Sequence, residues 1–120
     1  MDKQDSIRCK IKDICQDVLL GKIKNIQELE KVWPKNITEE FFEEIFGDIT
    51  EYFVHLDYTN NFPQKDSWEY LSLYVASKIL EHKKDAEILK RCYDKVLDYN
   101  DISDVEIDRR IEECLSGECI

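Results

Sequence analysis

The residues of this 120-residue chain that could do chemistry are few and widely spaced. His55 follows Glu51 by one helical turn, a spacing that suits a metal pair or an acid–base dyad. A di-iron carboxylate bundle would want Glu-x-x-His, but the position three before His55 is Tyr52. Glu51 and His55 therefore read as a surface i,i+4 pair. His82, in Glu81-His82-Lys83-Lys84, reads as a helix-end residue. The aspartate-rich stretch from Asp98 puts Ile102 where a calcium loop needs its fifth-position ligand, and Ser103 where it needs glycine. Gly-x-Gly-x-x-Gly, the P-loop and Gly-x-Ser-x-Gly are all absent. Acidic pairs are so common that no single pair signals glycoside chemistry. Neither catalysis nor a cofactor or metal is expected.

Five cysteines occur: Cys9, Cys15, Cys92, Cys114 and Cys119. The odd count, the lack of Cys-x-x-Cys and the charged start Met1-Asp2-Lys3-Gln4-Asp5 fit free thiols in a reducing compartment. Cys15, Cys92 and Cys114 read as small core residues. The terminal Gly117-Glu118-Cys119-Ile120 is not a prenylation box, and the greasiest run, Leu71 to Leu80, is broken by Ser72, Ser77 and Lys78. A soluble cytoplasmic protein is expected.

What remains is charge. The formal net charge is −10 and the isoelectric point is near 4.7, which argues against direct contact with nucleic acid or an anionic membrane. The excess is uneven. Residues 1–35 carry a balance of +2, residues 36–70 of −8 and residues 71–120 of −4. No Lys or Arg lies between Asn36 and Gln64.

The elements that must carry this charge read as helices, because only three Gly and two Pro punctuate the chain. Ile7, Ile11, Ile14, Val18 and Leu19 fall at helical spacing, with Gly21 as the stop. Asn25 and Glu28 form a capping box for a short helix of Ile26, Leu29, Val32 and Trp33, ended by Pro34. Thr38 is the expected cap of a third helix, with Glu39 and Glu40 in its first turn. Its apolar arc is Phe41, Phe42, Ile45, Phe46, Ile49, Phe53 and Leu56, with Gly47 on the opposite side. Asn60-Asn61-Phe62-Pro63 is a loop. Asp66 and Glu69 form a box before Trp68, Leu71, Val75 and Ile79. Asp85 opens a further helix or lies within a continuing one; Ile88, Leu89, Cys92, Tyr93, Val96 and Leu97 form its buried face. Ser103 and Glu106 cap a last helix of Ile107, Ile111, Cys114 and Leu115, with Gly117 as its stop. The prediction is one all-α domain over 1–120: a single-domain antiparallel helical bundle of five or six helices.

On the third helix, Glu40, Glu43, Glu44 and Glu51 project opposite the phenylalanines, with Asp48 and His55 at the flank. Glu39–Glu43, Glu40–Glu44 and Glu44–Asp48 are like-charge i,i+4 pairs, each costing roughly 0.2–0.5 kcal/mol. Val54 and Tyr58 share that side. Carboxylates around an exposed tyrosine and valine have the makeup of a protein interface with a small anchor. The candidate partner-binding set is Glu40, Glu43, Glu44, Asp48, Glu51, Val54, His55 and Tyr58, and the expected partner is a basic protein. A second acidic patch spans Asp98, Asp101, Asp104, Glu106 and Asp108, part of it capping chemistry.

The run Leu19-Leu20-Gly21-Lys22-Ile23, then Leu29-Glu30-x-x-Trp33-Pro34, leads into Phe41-Phe42-Glu43-Glu44-Ile45-Phe46-Gly47-Asp48-Ile49. Together these resemble the small helical immunity proteins of bacterial polymorphic-toxin systems, which neutralise toxins of contact-dependent growth inhibition or of colicins. The sequence departs from the immunity proteins of DNase colicins, whose Tyr-Tyr recognition helix has no counterpart here. In character it is similar to acidic helical inhibitors of tRNA-cleaving toxins. The resemblance implies a non-enzymatic inhibitor whose acidic face meets the basic cleft of a nuclease toxin, or binds beside it. Two rivals stand beside that expectation: an acidic helical adaptor or regulatory module binding another basic protein, and a small enzyme or metal protein using His55 with Glu51 or Asp48.

Overall fold

The computed structural model describes residues 3–35, 37, 39–61, 64, 67–97 and 104–118. Six helices follow in order: α1 (Lys3–Leu19), α2 (Ile26–Val32), α3 (Glu40–Thr59), α4 (Trp68–Ile79), α5 (Ala86–Leu97) and α6 (Asp104–Glu118). No strand occurs among the described residues, and the chain is an all-α bundle.

The bundle is organised around α4, which packs against α1, α3, α5 and α6. Leu73, Val75, Ala76 and Ile79 of α4 are buried, as are Ser72 and Ser77. A helix covered on most sides must be apolar or small on most sides, and α4 is. Its two buried hydroxyls donate to carbonyls of their own helix, Ser72 Oγ to Trp68 and Ser77 Oγ to Tyr74, at 2.7 and 2.8 Å. No buried polar group of α4 therefore demands a partner from a neighbour. The C-terminus of α4 is closed from outside: the buried Arg8 of α1 donates through Nη1 to the Leu80 carbonyl. Asp5 holds the same guanidinium at 3.4 Å and Lys83 at 3.1 Å. A cation there also suits the negative end of the helix dipole. The hydrogen bond from Lys83 holds the Asp5 carboxyl below its ordinary range.

Local chemistry sets the ends of the helices. Gly21, at φ +79°, donates to the Val18 carbonyl while Lys22 donates to Asp17, the paired bonds of a Schellman stop. Asn25 caps α2 by accepting from the Glu28 N–H at 2.9 Å, and Glu28 accepts from Lys24 N–H rather than from Asn25. Asn60 closes α3 in the left-handed region, at φ 59°, a conformation asparagine tolerates.

Other boundaries differ from the sequence reading. Thr38 lies outside the described residues; the N-cap of α3 is Glu39, with no side-chain cap bond. Asp66 also lies outside them, and the cap of α4 is Ser67, whose hydroxyl accepts from Tyr70 N–H. Trp68 is 53% exposed, Leu71 is half-buried, and Val75 and Ile79 are buried. The stripe thus enters the core one turn after the helix begins, which leaves Trp68 outside. The helix is interrupted between Ile79 and Ala86, so α5 is a separate helix. Ser103, Phe62 and Pro63 are outside the described residues, and Gly117 lies within α6 rather than just past its end.

The third-helix arc is buried at Phe41, Phe42, Ile45, Ile49 and Phe53 and partly buried at Phe46 and Leu56. Tyr52 joins them, because α3 lies against both α4 and α5 and needs a wider apolar stripe. Phe41 meets Tyr93 of α5 at 5.3 Å between ring centroids, and Trp33 seats edge-on against Phe46 at 5.1 Å. These aromatic contacts dock α5 and the end of α2 on α3.

The cysteine expectation is corrected in part. Cys92 and Cys114 form a disulfide joining α5 to α6, with Cα atoms 5.8 Å apart. Helical periodicity put both in the core, but it cannot say which two stripes face one another. Cys9 and Cys15 are free, and Cys119 lies outside the described residues. No helix among the described residues is long and apolar enough to cross a membrane.

Candidate partner-binding face

With Phe41, Phe42, Ile45, Ile49, Tyr52 and Phe53 committed to the core, the opposite side of α3 faces water. Six positions form one exposed ridge along it: Glu40, Glu43, Gly47, Glu51, Val54 and Tyr58. Their spacings of three and four keep them on a single line for five turns of helix. Tyr58 is 91% exposed and Val54 56%. Gly47 sits near the middle and leaves a saddle of bare backbone. A Cβ added there meets nothing within 4 Å, so the fold itself does not require glycine.

The remaining three candidates do not stand free on this ridge. Glu44 is half-buried and pairs with Lys90 of α5 at 3.0 Å. Asp48 accepts a hydrogen bond from the Tyr93 hydroxyl of the same helix. His55 Nδ1 lies 3.7 Å from Glu69 of α4, an ion-pair distance too long for a hydrogen bond. Glu51, which the sequence pairs with His55, points to solvent as part of the ridge. The flank of α3 thus ties the helix to α4 and α5, and the outer line is what a partner can reach. Among the described residues no group of three His, Cys, Asp or Glu is placed to hold a metal ion.

Two shallow hollows lie at the ends of the ridge. One, of about 390 Å³, is lined by Glu39, Glu40, Asp85, Glu87 and Lys90 over Phe41 and Ala86. Here the start of α5 extends the acidic surface beyond α3. Sequence reading missed Asp85 and Glu87 as part of this face, since a cap residue and a first-turn acid need no partner to explain them. The other hollow, of about 300 Å³, is lined by Glu51, Val54, His55, Tyr58, Thr59 and Glu69. Of the second acidic patch, Glu106 pairs with Arg110 at 3.2 Å and Asp108 is exposed. Asp98, Asp101 and the Asp104 side chain lie outside the described residues.

Electrostatics separates the flank from the ridge. Burial pushes the Asp48 carboxyl from an ordinary 3.8 up to about 6, against the lowering effect of the Tyr93 hydrogen bond. The carboxylates of Glu44, Glu51 and Asp94 push it further in the same direction. Burial, and Asp48 beside it, also raise the Tyr93 hydroxyl. The hydrogen bond to Glu44 raises the Lys90 ammonium, keeping it charged. Asp48 is therefore a structural acid under load, not a freely solvated charge.

No family model, no curated protein and no solved structure matches the chain.

Two stability measurements check this division of α3. The folded chain holds the Asp48 proton to about pH 6, whereas the unfolded chain releases it near 3.8. Unfolding thus releases a proton between those values, and the stability owed to Asp48 falls as pH rises through that window. Asp48→Asn, which keeps an oxygen to accept from Tyr93, should melt higher than wild type at pH 7 and alongside it at pH 4. An equal loss at both pH values would contradict the assignment. Gly47→Ala should raise the unfolding free energy by about 0.5–1 kcal/mol in urea titrations, the helix-interior difference between the two residues. A loss of stability would show that the saddle serves the fold.

Proposed function

We propose that the chain is an immunity protein: a non-enzymatic inhibitor that binds and neutralises a cognate toxin domain, with a nuclease as the target class. The observation that carries this reading is the unbroken exposed ridge from Glu40 to Tyr58, acidic at one end and anchored by Tyr58 and Val54 at the other. Its acids repel one another along the helix and contribute nothing to the bundle that a Lys-interspersed face would not. A basic partner surface turns that repulsion into attraction. Nuclease domains carry such surfaces because they bind phosphates.

The two ends of the ridge then have different tasks. Exposed carboxylates at Glu40, Glu43 and Glu51, with Asp85 and Glu87 nearby, set a field that steers encounter, toward on-rates of roughly 10⁸ M⁻¹s⁻¹ at low salt. An exposed tyrosine beside a valine supplies the desolvated contact that slows release. Speed of capture suits an inhibitor that must act before the toxin does.

Co-expression with the product of the neighbouring gene, scored as rescue from toxicity, tests the reading. Rescue by wild type is expected. A neighbouring product that is not toxic, or whose toxicity is unaffected, contradicts it. Given a toxin partner, Glu40→Lys with Glu43→Lys should slow association about tenfold or more at low salt, with the difference shrinking as salt rises. Tyr58→Ala should act mainly on dissociation, at a cost of about 2 kcal/mol or more. Equal effects of both variants on the off-rate would remove the division of tasks.

A further inference from the structure

The Cys92–Cys114 pair is chemically asymmetric. Cys92 is completely buried on the inner face of α5, while Cys114 is half-buried on α6. Of the two, only Cys114 retains any exposure to solvent, so an external thiol has a route to the pair from the Cys114 side and none from the Cys92 side. The other described cysteines are not part of the pair: Cys15 is buried, with its thiol pushed up by burial, and Cys9 lies on α1. The bond closes a sequence separation of 22 residues and fastens α6 to α5. Among the described residues, Ile107, Ile111 and Leu115 form the buried apolar stripe by which α6 docks on the bundle. A helix docked through one apolar stripe is the kind of unit that opens without the rest of the fold.

We propose that Cys92–Cys114 is a reversible thiol–disulfide site, opened and closed through Cys114 by low-molecular-weight thiols and their disulfides, and that it fastens α6 onto the bundle. In the opening direction a thiolate attacks Cys114 Sγ. The Cys92–Cys114 sulfur–sulfur bond breaks, a mixed disulfide forms on Cys114, and Cys92 leaves as a thiolate that takes up a proton. A second thiolate attacks the outer sulfur of the mixed disulfide. The small-molecule disulfide departs, and the Cys114 thiolate takes up a proton. Two small thiols are oxidised and one protein disulfide is reduced; closure runs the same steps in reverse. In the dithiol state the loop closure is lost and α6 opens more often, while α1, α2, α3 and α4 keep their contacts with one another.

The proposal does not rest on the identity of the partner, and the whole chain tests it. Protein equilibrated in buffers of reduced and oxidised glutathione is alkylated and analysed by peptide mass spectrometry. The pair should pass from dithiol to disulfide as the buffer becomes oxidising. Reduction should speed amide exchange in 104–118 by roughly tenfold or more, with 3–19 and 40–59 unchanged. With oxidised glutathione, Cys92→Ser should carry the adduct on Cys114, whereas Cys114→Ser should leave Cys92 unmodified. The proposal is overturned if the pair stays alkylatable in oxidised glutathione or stays closed under excess dithiothreitol. Equal α6 exchange in the two states also overturns it. Should either variant not fold, the wild-type titration and exchange data decide alone.

Discussion

The burial of α4 between four other helices governs the rest of the molecule. A helix in that position can carry only apolar or small side chains where it is covered, and it must satisfy its own hydroxyls. Ser72 and Ser77 do so by donating to carbonyls of the same helix. The turn that follows the helix meets the carbonyls of Ala76, Lys78 and Ile79 with its own N–H groups, and Arg8 reaches across from α1 to supply the donor for the carbonyl of the buried Leu80. Removing that donor would leave a buried carbonyl unmet, which typically costs about 1–3 kcal/mol. With α4 in place, α3 has no choice of face. Its phenylalanines, isoleucines and Tyr52 turn inward, and everything else on it meets water or a neighbour's edge.

The contacts along that edge determine which of the acids remain available. Glu44, Asp48 and His55 lie where α3 meets α5 and α4, and each has a partner there. The two partly exposed ion pairs, Glu44–Lys90 and His55–Glu69, contribute little to stability, about 0–1 kcal/mol. Their larger effect is geometric. They take up the flank of a helix whose rotation the buried phenylalanines and isoleucines already set, and so leave Glu40, Glu43, Gly47, Glu51, Val54 and Tyr58 as one outward line. The fold therefore separates structural acids from surface acids on a single helix. Asp48, buried enough to hold its proton to about pH 6, is the clearest of the structural kind.

Patterns confined to one helix were legible in the sequence. Period-3.6 spacing marked the buried arc of α3, Gly21 marked a stop, and Asn25 with Glu28 marked a cap, all from residues a few positions apart. The open side of α3 was legible for the same reason. Pairings across the chain were not. Asp48 and Tyr93 are 45 residues apart, and Cys92 and Cys114 are 22 apart. No spacing rule says which stripes face each other. Asp85 and Glu87 were hidden differently, because a helix start already accounts for acids there. Tyr52 stands outside the arc of phenylalanines and isoleucines, yet it is buried, because α3 lies against both α4 and α5. Trp68 erred the other way: its apolar character suggested the core, yet its helix begins before the core does.

If the outward line of α3 is the surface that a basic partner covers, carboxylate footprinting of the complex reports it directly. The protein is labelled at accessible Asp and Glu with and without its captured partner, and the change is read residue by residue. Protection should concentrate on Glu40, Glu43 and Glu51 and spread to Asp85 and Glu87, while Glu112 and Glu113 of α6 stay fully labelled. Protection centred on α6, with the α3 ridge labelled as strongly as in the free protein, would contradict the assignment of this face.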